Sequence, residues 1–203
     1  MLQQERLLKM AEQTRDKVDE LFSTENLSQG ERQELIAMGM LSTAGKFQSP
    51  VGTAYGEGLS SVSKRAITNH SVLNEAYDYG SAFSRGLRLD FDNYSMLLIS
   101  GTSSVDEAGD SLHPGDVRAQ CWRTYRNITA LLESEGATWK DIVKTTCYLR
   151  DIERDYDDFN AVRNAFFEWH QLDPLPASVG IQARLCRDDL LVEIEAIAIM
   201  KKK

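Results

Sequence analysis

The last apolar segment of the chain alternates strictly between two kinds of side chain. Residues 192–200 read VEIEAIAIM. In an extended strand, successive side chains point to opposite faces of the sheet, so Glu193 and Glu195 share one face. The other face carries only apolar residues, namely Val192, Ile194, Ala196 and Ala198. This pattern predicts a strand in a sheet that is covered by a core on one side and carries two carboxylates on the other.

Two helices and several further strands precede this strand. The segment that ends at Gly136 has helical periodicity, and a second helix is predicted over residues 156–170. Their apolar stripes comprise Val117, Cys121, Tyr125, Ile128, Leu131 and Leu132 in the first helix, and Phe159, Val162, Phe166 and Trp169 in the second. The predicted strands are 86–91, 94–100, a segment that alternates Val143, Thr145, Cys147 and Leu149, and then 177–185 and 190–200. This order predicts an α+β fold in which two helices cover one face of a sheet.

The first 65 residues have a different character. Residues 2–22 have the pattern of an amphipathic helix of about six turns. Ser28 and Glu31 have the spacing of a capping box, which predicts a second helix from there to about Leu41. The segment that follows is rich in Gly, Ser and Pro and has no periodicity, as is typical of a linker. We therefore predict a helical extension over residues 1–46, a linker over 47–65 and a compact domain over 66–203.

Composition excludes several classes of function. The 203 residues include 31 acidic and 23 basic ones, which gives a formal net charge of -8. A chain of this charge repels a phosphate backbone, so nucleic-acid binding is not expected. The sequence contains no apolar run of about 18 residues, so we expect no membrane span.

The cysteines and histidines indicate neither disulfides nor a metal site. Each type occurs three times, far apart and in no ligand motif. Reduced thiols of this kind are typical of a cytoplasmic protein, and we expect no metal and no cofactor. The residues concerned are Cys121, Cys147, Cys186, His70, His113 and His170.

Several ordered motifs in residues 66–200 resemble the Rid/YjgF superfamily. They are AYDYGSAFSRG, LLISGTSSVDEAG, NITALLESEGATWKDIVKTTCYLRDI, DYDDFNAVRNAFF, and PAS followed by VEIEAIA. The resemblance implies a chorismate mutase-like fold that assembles as a homotrimer, a trimeric barrel with ligand clefts between subunits. It also implies that the ligand is a small-molecule carboxylate. The first 65 residues lie outside the resemblance.

The same resemblance assigns candidate ligand-binding residues. Tyr79 and Ser100 match positions that line the ligand cleft of relatives, although a core tyrosine and a strand-end serine are the structural alternatives. Gly101 would let a ligand approach the backbone closely. Asn160 matches a family asparagine near the start of the second helix, where helix capping or a subunit contact explains it nearly as well.

Glu193 is the candidate catalytic residue. PASVGI and CRDDLLVEI resemble the C-terminal segment of chorismatases, which hydrolyse the enol ether of chorismate, and this implies that Glu193 is the acid/base group. Partial burial would raise the pKa of its carboxyl group and allow proton transfer near neutral pH. Without the resemblance, a surface position is the simpler interpretation, and we keep it for Glu195. Cys186 lies seven residues before Glu193. It would form part of a pocket wall or be a small buried apolar group.

Ser178 departs from the deaminase branch of the family. In that branch an arginine follows the Pro-Ala pair and resembles a clamp for a substrate carboxylate, whereas this sequence has Ser178 there. Arginine grips a carboxylate with two charged hydrogen bonds, and serine offers one neutral hydrogen bond. Arg184 or Arg187 would replace the missing charge if either faces the cleft. A solvated arginine or a subunit salt bridge is the alternative.

Three functions are compatible with these residues. The first is a homotrimeric enzyme that acts on a small carboxylated metabolite by water addition or proton transfer. The second is chorismatase-like hydrolysis of an enol ether. The third is a trimer that binds a small molecule without catalysis, which the loss of arginine at Ser178 favours. The ribonuclease activity by which some members of the family are named fits the acidic charge poorly.

Overall fold

The computed structural model describes residues 27–37, 41–46, 62–69, 73 and 81–202. Within them, the helices are α1 (Gln29–Ala37), α2 (Val117–Ser134) and α3 (Ile152–Trp169), with a 3-10 helix at Trp139–Asp141. The strands are β1 (Ser63–Ala66), β2 (Gly86–Asp90), β3 (Tyr94–Ser103), β4 (Ile142–Leu149), β5 (Ala177–Gln182) and β6 (Val192–Lys201). This order confirms the predicted α+β class. None of the described helices has the length and apolar character needed to cross a membrane.

The N-terminal part of the chain contains the predicted capping box. The N–H of Ser28 donates to Glu31 Oε2 at 2.7 Å, and the N–H of Glu31 donates to Ser28 Oγ at 3.1 Å. These reciprocal bonds satisfy two backbone donors at the start of α1. Leu41 is not helical, so this helix is shorter than predicted. The helix predicted over residues 2–22 lies outside the described residues.

The chain divides into two units, Met1–Leu59 and Ser60–Lys203. The second unit includes β1, which pairs with β2 and begins three residues before the predicted domain boundary at residue 66. Residues 63–65 of the predicted linker belong to β1. A buried carboxylate explains the pairing: Glu135 accepts hydrogen bonds from both Nη atoms of Arg65 on β1 and, at 3.2 Å, from Arg88 on β2.

The strands of the second unit form one sheet in the order β1-β2-β3-β6-β4-β5. β4 and β5 are parallel, and the other neighbouring strands are antiparallel. The last strand of the chain therefore lies in the middle of the sheet, between β3 and β4. As a result, Glu193 on β6 has Ser103 of β3 opposite it on one side and Tyr148 of β4 on the other.

The two faces of the sheet differ as the alternation in β6 predicts. Glu193 is half-buried and Glu195 is exposed on the open face, while the apolar residues of β6 are buried on the other face. Helices α2 and α3 lie against that buried face and close the core. The period of two in the sequence therefore separates a core face from a face that is available to a ligand.

The apolar stripes of the two long helices are buried with one exception. All predicted stripe residues of α2 are buried, and the ring of Tyr125 stacks on that of Phe166 in α3 with centroids 4.5 Å apart. The prediction was wrong for Trp169, which is 77% exposed. This residue is the last of α3, and its ring packs edge-on against His170 instead of entering the core.

The strands differ from the prediction in one irregularity and in several of their ends. The pairing of β4 with β6 shifts between Ile142 and Lys144, so Val143 forms a β-bulge and is exposed rather than buried. β5 ends before the predicted residue 185, and β6 begins after the predicted residue 190. The residues between them form a loop, because several of their carbonyl groups accept hydrogen bonds from the Arg150 side chain rather than from a strand.

Candidate functional site

A cleft of about 910 Å³ opens on the uncovered face of the sheet. Its walls come from residues 81–85 ahead of β2, the second half of β3, the end of β4, the start of β6 and the loop 183–190. It brings together five of the residues that the sequence predicts for a ligand site: Ser100, Gly101, Arg184, Cys186 and Glu193. Residues that are far apart in the chain meet here because β6 lies between β3 and β4.

Glu193 combines burial with a weak hydrogen bond. Burial raises the pKa of its carboxyl group, the hydroxyl of Ser103 lowers it by donating to Oε2 at 3.4 Å, and the charge of Glu195 raises it again. The net effect is a raised pKa, as we expected from the sequence for a partly buried glutamate. A carboxyl group with a raised pKa holds a proton closer to neutral pH, so it is better suited to acid/base chemistry than a surface glutamate.

Gly101 makes room for the Glu193 carboxylate. A Cβ atom built on Gly101 would lie 2.1 Å from Glu193 Oε1, so any other residue here would force the carboxylate to move. The pairing of β3 with β6 is irregular between Ile99 and Thr102, so this glycine lies in a bulge that brings the backbone under the carboxylate. The space that we expected a ligand to use is thus taken by Glu193 itself.

Tyr148 and Glu195 form a second polar pair in the cleft. The phenol of Tyr148 donates to Glu195 Oε2 at 3.1 Å. Desolvation raises the pKa of Tyr148, and the hydrogen bond to Glu195 and its charge raise it further. The sequence patterns did not indicate Tyr148 as a site residue, and we had interpreted Glu195 as a surface residue. Glu195 is exposed, but it lines the same cleft as Glu193.

The wall opposite β6 contains a serine and a buried arginine. Ser100 Oγ donates to the carbonyl of Ser84 at 2.7 Å, which fixes the hydroxyl group at the junction of β3 and the segment before β2. Arg85 is 6% exposed and lines the cleft, with its guanidinium carbon 5.5 Å from the centre of the Phe83 ring. Sequence reasoning missed Phe83 and Arg85, although both lie in the quoted motif AYDYGSAFSRG.

The loop 183–190 supplies the remaining wall. Arg150 Nε donates to the carbonyl of Leu190 at 2.6 Å, and its Nη2 donates to the carbonyls of Leu185 and Arg187. Arg187 in turn donates to the carbonyl of Gly109 at 2.5 Å and to Ser111 at 3.3 Å. These bonds hold the loop in place over the sheet, so that exposed Arg184 and Cys186 border the cleft.

Two of the predicted residues that the structure describes, Ser178 and Asn160, do not line the cleft. Ser178 on β5 accepts a hydrogen bond from Thr145 Oγ1 at 3.0 Å and lies 4.0 Å from the sulfur of Cys147. Asn160 lies in the middle of α3, whose N-cap is Asp151, so the helix-capping interpretation was wrong. The buried Oδ1 of Asn160 has no hydrogen-bond partner among the described residues. Tyr79 lies outside the described residues.

The described residues contain no metal-binding cluster. No group of three or more His, Cys, Asp or Glu side chains comes together in this part of the chain. The cysteines at positions 121 and 147 are buried, and Cys186 is exposed in the cleft; all three are free thiols. The chemistry of the cleft, as the described side chains define it, comes from carboxylates, hydroxyls and arginines.

Residues 80–200 match the sequence profile of the family described as endoribonuclease L-PSP. This match covers more than half of the chain and runs from the segment before β2 nearly to the end of β6. The chain belongs to the Rid/YjgF superfamily. The resemblance inferred from the motifs is therefore confirmed.

Individual Rid/YjgF relatives agree with this assignment. A RutC family protein of Pyrococcus abyssi is 33% identical over 104 residues, which are 51% of this chain and 78% of that protein. The Escherichia coli K12 protein named 2-iminobutanoate/2-iminopropanoate deaminase is 34% identical over 107 residues, which are 53% of this chain and 81% of that protein.

Solved structures of Rid/YjgF proteins share the fold. The crystal structure of the YjgF gene product of Escherichia coli has a TM-score of 0.56 at 30% identity and covers 66% of this chain and 98% of its own. Escherichia coli TdcF, crystallised with bound serine, has a TM-score of 0.56 at 27% identity and covers 67% of this chain and 98% of its own.

Proposed function

We propose that this Rid/YjgF protein is a cytoplasmic homotrimer that acts on a small carboxylated metabolite by water addition or proton transfer, with Glu193 as the acid/base group. The observation that carries the proposal is the position of Glu193, half-buried in a cleft beside the Gly101 backbone. Its raised pKa and the free thiols of the chain are consistent with this proposal.

The names of relatives suggest which reaction to test first. Hydrolysis of a 2-imino acid adds water to the carbon of the C=N bond and releases ammonia, leaving a 2-oxo acid. The carboxyl group of Glu193 would remove a proton from the attacking water and return it to the nitrogen that leaves. The serine bound in the TdcF structure is itself a small carboxylate, which supports the ligand class for this cleft.

The open face of the sheet supports a homotrimer. Beyond the cleft this face carries several apolar side chains that the chain itself does not cover. Val179, Ile181 and Ile199 are exposed, and Leu98 and Ile197 are half-buried. Three sheets that cover one another on these faces would bury the apolar surface and place each cleft at a subunit boundary, as the family resemblance implies.

Two other functions remain candidates on specific observations. Chorismatase-like hydrolysis of an enol ether is favoured by Cys186 and Glu193, which line the same cleft. A non-catalytic trimer that binds a small molecule is favoured by Ser178, which brings no positive charge to the position where deaminases have arginine. Turnover assays with 2-iminobutanoate and chorismate separate these functions, since a non-catalytic protein turns over neither.

Replacement of Glu193 tests the proposed function. With 2-iminobutanoate generated in situ, we expect Glu193→Gln to lower kcat by about 10²- to 10⁴-fold, because the acid/base group is lost while its shape is kept. Glu195→Gln shows whether the other carboxylate of the cleft contributes to turnover. Glu133→Gln, on the exposed side of α2, is the control. Full activity of folded, trimeric Glu193→Gln would rule out the assigned role.

A further inference from the structure

The cleft lacks the arginine that deaminases carry at the position of Ser178, but it contains arginines from other positions. Arg85, Arg184 and Arg187 all line it. A ligand carboxylate needs a positive partner in such a site, because an uncompensated charge that leaves water is costly. The surroundings of the three guanidinium groups indicate which of them is best placed to be that partner.

Two of these arginines are less suited to hold a carboxylate. Arg184 is exposed, so water and salt screen its charge. Arg187 donates to the carbonyl of Gly109 and to Ser111, and these bonds hold the loop 183–190 in place. Its guanidinium is therefore part of the wall of the cleft.

Arg85 differs from Arg184 because it is buried, and it comes directly before β2. Only 6% of the residue is exposed, yet it lines the cleft. The ring of Phe83 lies 5.5 Å from its guanidinium carbon, which favours a positive charge at this place. A charge interacts more strongly where water is excluded, so an anion gains more from Arg85 than from an exposed arginine.

Arg85 and Glu193 lie in different walls of the same cleft. The N–H of Ser100 donates to the carbonyl of Arg85 at 3.1 Å, so the two residues are neighbours at the end of the β2–β3 pair. Glu193 lies on β6, the next strand after β3. Neighbouring strands are about 4.8 Å apart, which puts the backbones of β2 and β6 about 10 Å from each other.

We propose that Arg85 binds the carboxylate of the ligand and so supplies the positive charge that is absent at Ser178. This inference rests on the proposed function, since it names the group that anchors the substrate of the same cleft. A guanidinium carries five N–H donors, so Arg85 can bind a carboxylate while keeping its other partners. The carboxylate then lies at the β2 side of the cleft, and the reacting carbon lies near Ser100 and Gly101, next to Glu193.

Alkylation of Cys186 measures ligand binding without requiring turnover. Cys186 lines the cleft and is exposed, whereas the other two cysteines are buried. A ligand in the cleft should slow the reaction of Cys186 with iodoacetamide, which peptide mass spectrometry follows. The probes are 2-oxobutanoate and its uncharged amide, which have nearly the same shape. Their protection constants separate recognition of the charge from recognition of the shape.

The variants are Arg85→Met, Arg184→Met and, as a control for loss of one positive charge, Arg118→Met, whose guanidinium pairs with Asp158 on the helical side. We expect Arg85→Met to weaken protection by 2-oxobutanoate about 10- to 100-fold and to leave protection by the amide unchanged. Arg118→Met should stay within about threefold of the wild-type protein, and Arg184→Met, which removes an exposed and screened charge, should weaken protection less than Arg85→Met does. Arg85→Lys keeps the positive charge but loses the paired N–H donors of the guanidinium, so its protection by 2-oxobutanoate should be intermediate between the wild-type protein and Arg85→Met. This variant also tests the role of Arg85 if Arg85→Met does not fold.

Each result bears on one of the two proposals. Wild-type affinity for 2-oxobutanoate in both Arg85 variants, or a larger loss in Arg184→Met, would overturn the role of Arg85 and leave that of Glu193 standing. If Arg85→Met loses binding while Glu193→Gln keeps full turnover, the proposed function fails and the carboxylate site remains. If 2-oxobutanoate does not slow the alkylation of Cys186 in the wild-type protein, both the carboxylate ligand and the role of Arg85 are overturned.

Discussion

At the residue scale, the environment of Glu193 gives its carboxyl group two opposing influences. Burial and the neighbouring charge of Glu195 disfavour the ionised form, and the hydroxyl of Ser103 favours it through a long hydrogen bond. Burial is the larger influence, so the proton is held more tightly than in a surface glutamate. A group in this state is costly to the folded protein and useful to a reaction, a combination that is common at functional sites.

The raised pKa of Glu193 predicts that replacing this residue stabilises the folded protein by an amount that depends on pH. Between the ordinary value of 4.5 and the raised value, the folded state binds more protons than the unfolded state, so stability falls as pH rises through this window. We expect Glu193→Gln to be more stable than the wild-type protein above the window. Below pH 4.5 the carboxyl is protonated in both states, and the difference should vanish. Urea unfolding at several pH values measures it, and a difference that does not depend on pH would contradict the prediction.

At the element scale, the bulge in β3 decides where the Glu193 carboxylate can lie. Gly101 lies within this bulge, and a Cβ atom at its position would come within 2.1 Å of Glu193 Oε1. β-bulges often occur beside functional sites because they redirect one side chain without disturbing the rest of the sheet. The glycine and the glutamate therefore act as one structural unit, although they are 92 positions apart in the sequence.

Gly101→Ala tests this unit. The new Cβ would lie 2.1 Å from Oε1 of Glu193, so the carboxylate must move. We expect kcat/KM for the imine to fall about 100-fold, since a displacement of about 1 Å costs this much in a positioned site. Gly180→Ala on β5 is the matched control, because its Cβ would meet nothing closer than 3.7 Å. Equal activity of the two variants would mean that the carboxylate position does not matter for turnover.

At the scale of the whole molecule, the sheet has one covered face and one uncovered face. α2 and α3 bury the first, and the second presents apolar residues beside a polar cleft. An uncovered apolar face of a sheet is costly in water, and association of copies is the simplest way to remove it. If the protein is the proposed trimer, the uncovered face is its interface and the cleft is completed by the neighbouring subunit.

Ile197→Glu tests the trimer. A charge on the uncovered face, next to the cleft, should prevent the sheets from covering one another, so light scattering should give the mass of one chain instead of three. Turnover should fall with the trimer. The control is Trp169→Glu, which puts the same charge on the helical side at a residue that is already 77% exposed. A wild-type protein that is monomeric at micromolar concentration would contradict the proposed assembly.

Local patterns in the sequence determined most of the elements and one side of the site. The periods of 2 and about 3.6 residues depend only on near neighbours in the chain, so β6, the stripe of α2 and the face shared by Glu193 and Glu195 were predictable. The ends of elements were less so, as Val143 and Trp169 illustrate, because a bulge or the edge of a core depends on what lies opposite. The superfamily was also readable from motifs, which the matched profile confirms.

Only the tertiary structure decided which groups surround Glu193. Insertion of the last strand between β3 and β4 brings Tyr148 and Ser103 to its two sides, and the segment before β2 adds Arg85 to the same cleft. No periodicity encodes that order, since strands distant in the chain pair through the sheet and not through local geometry. The local sequence pattern therefore determined the face of the strand on which Glu193 lies. The order of the strands in the sheet determined which distant residues lie beside it.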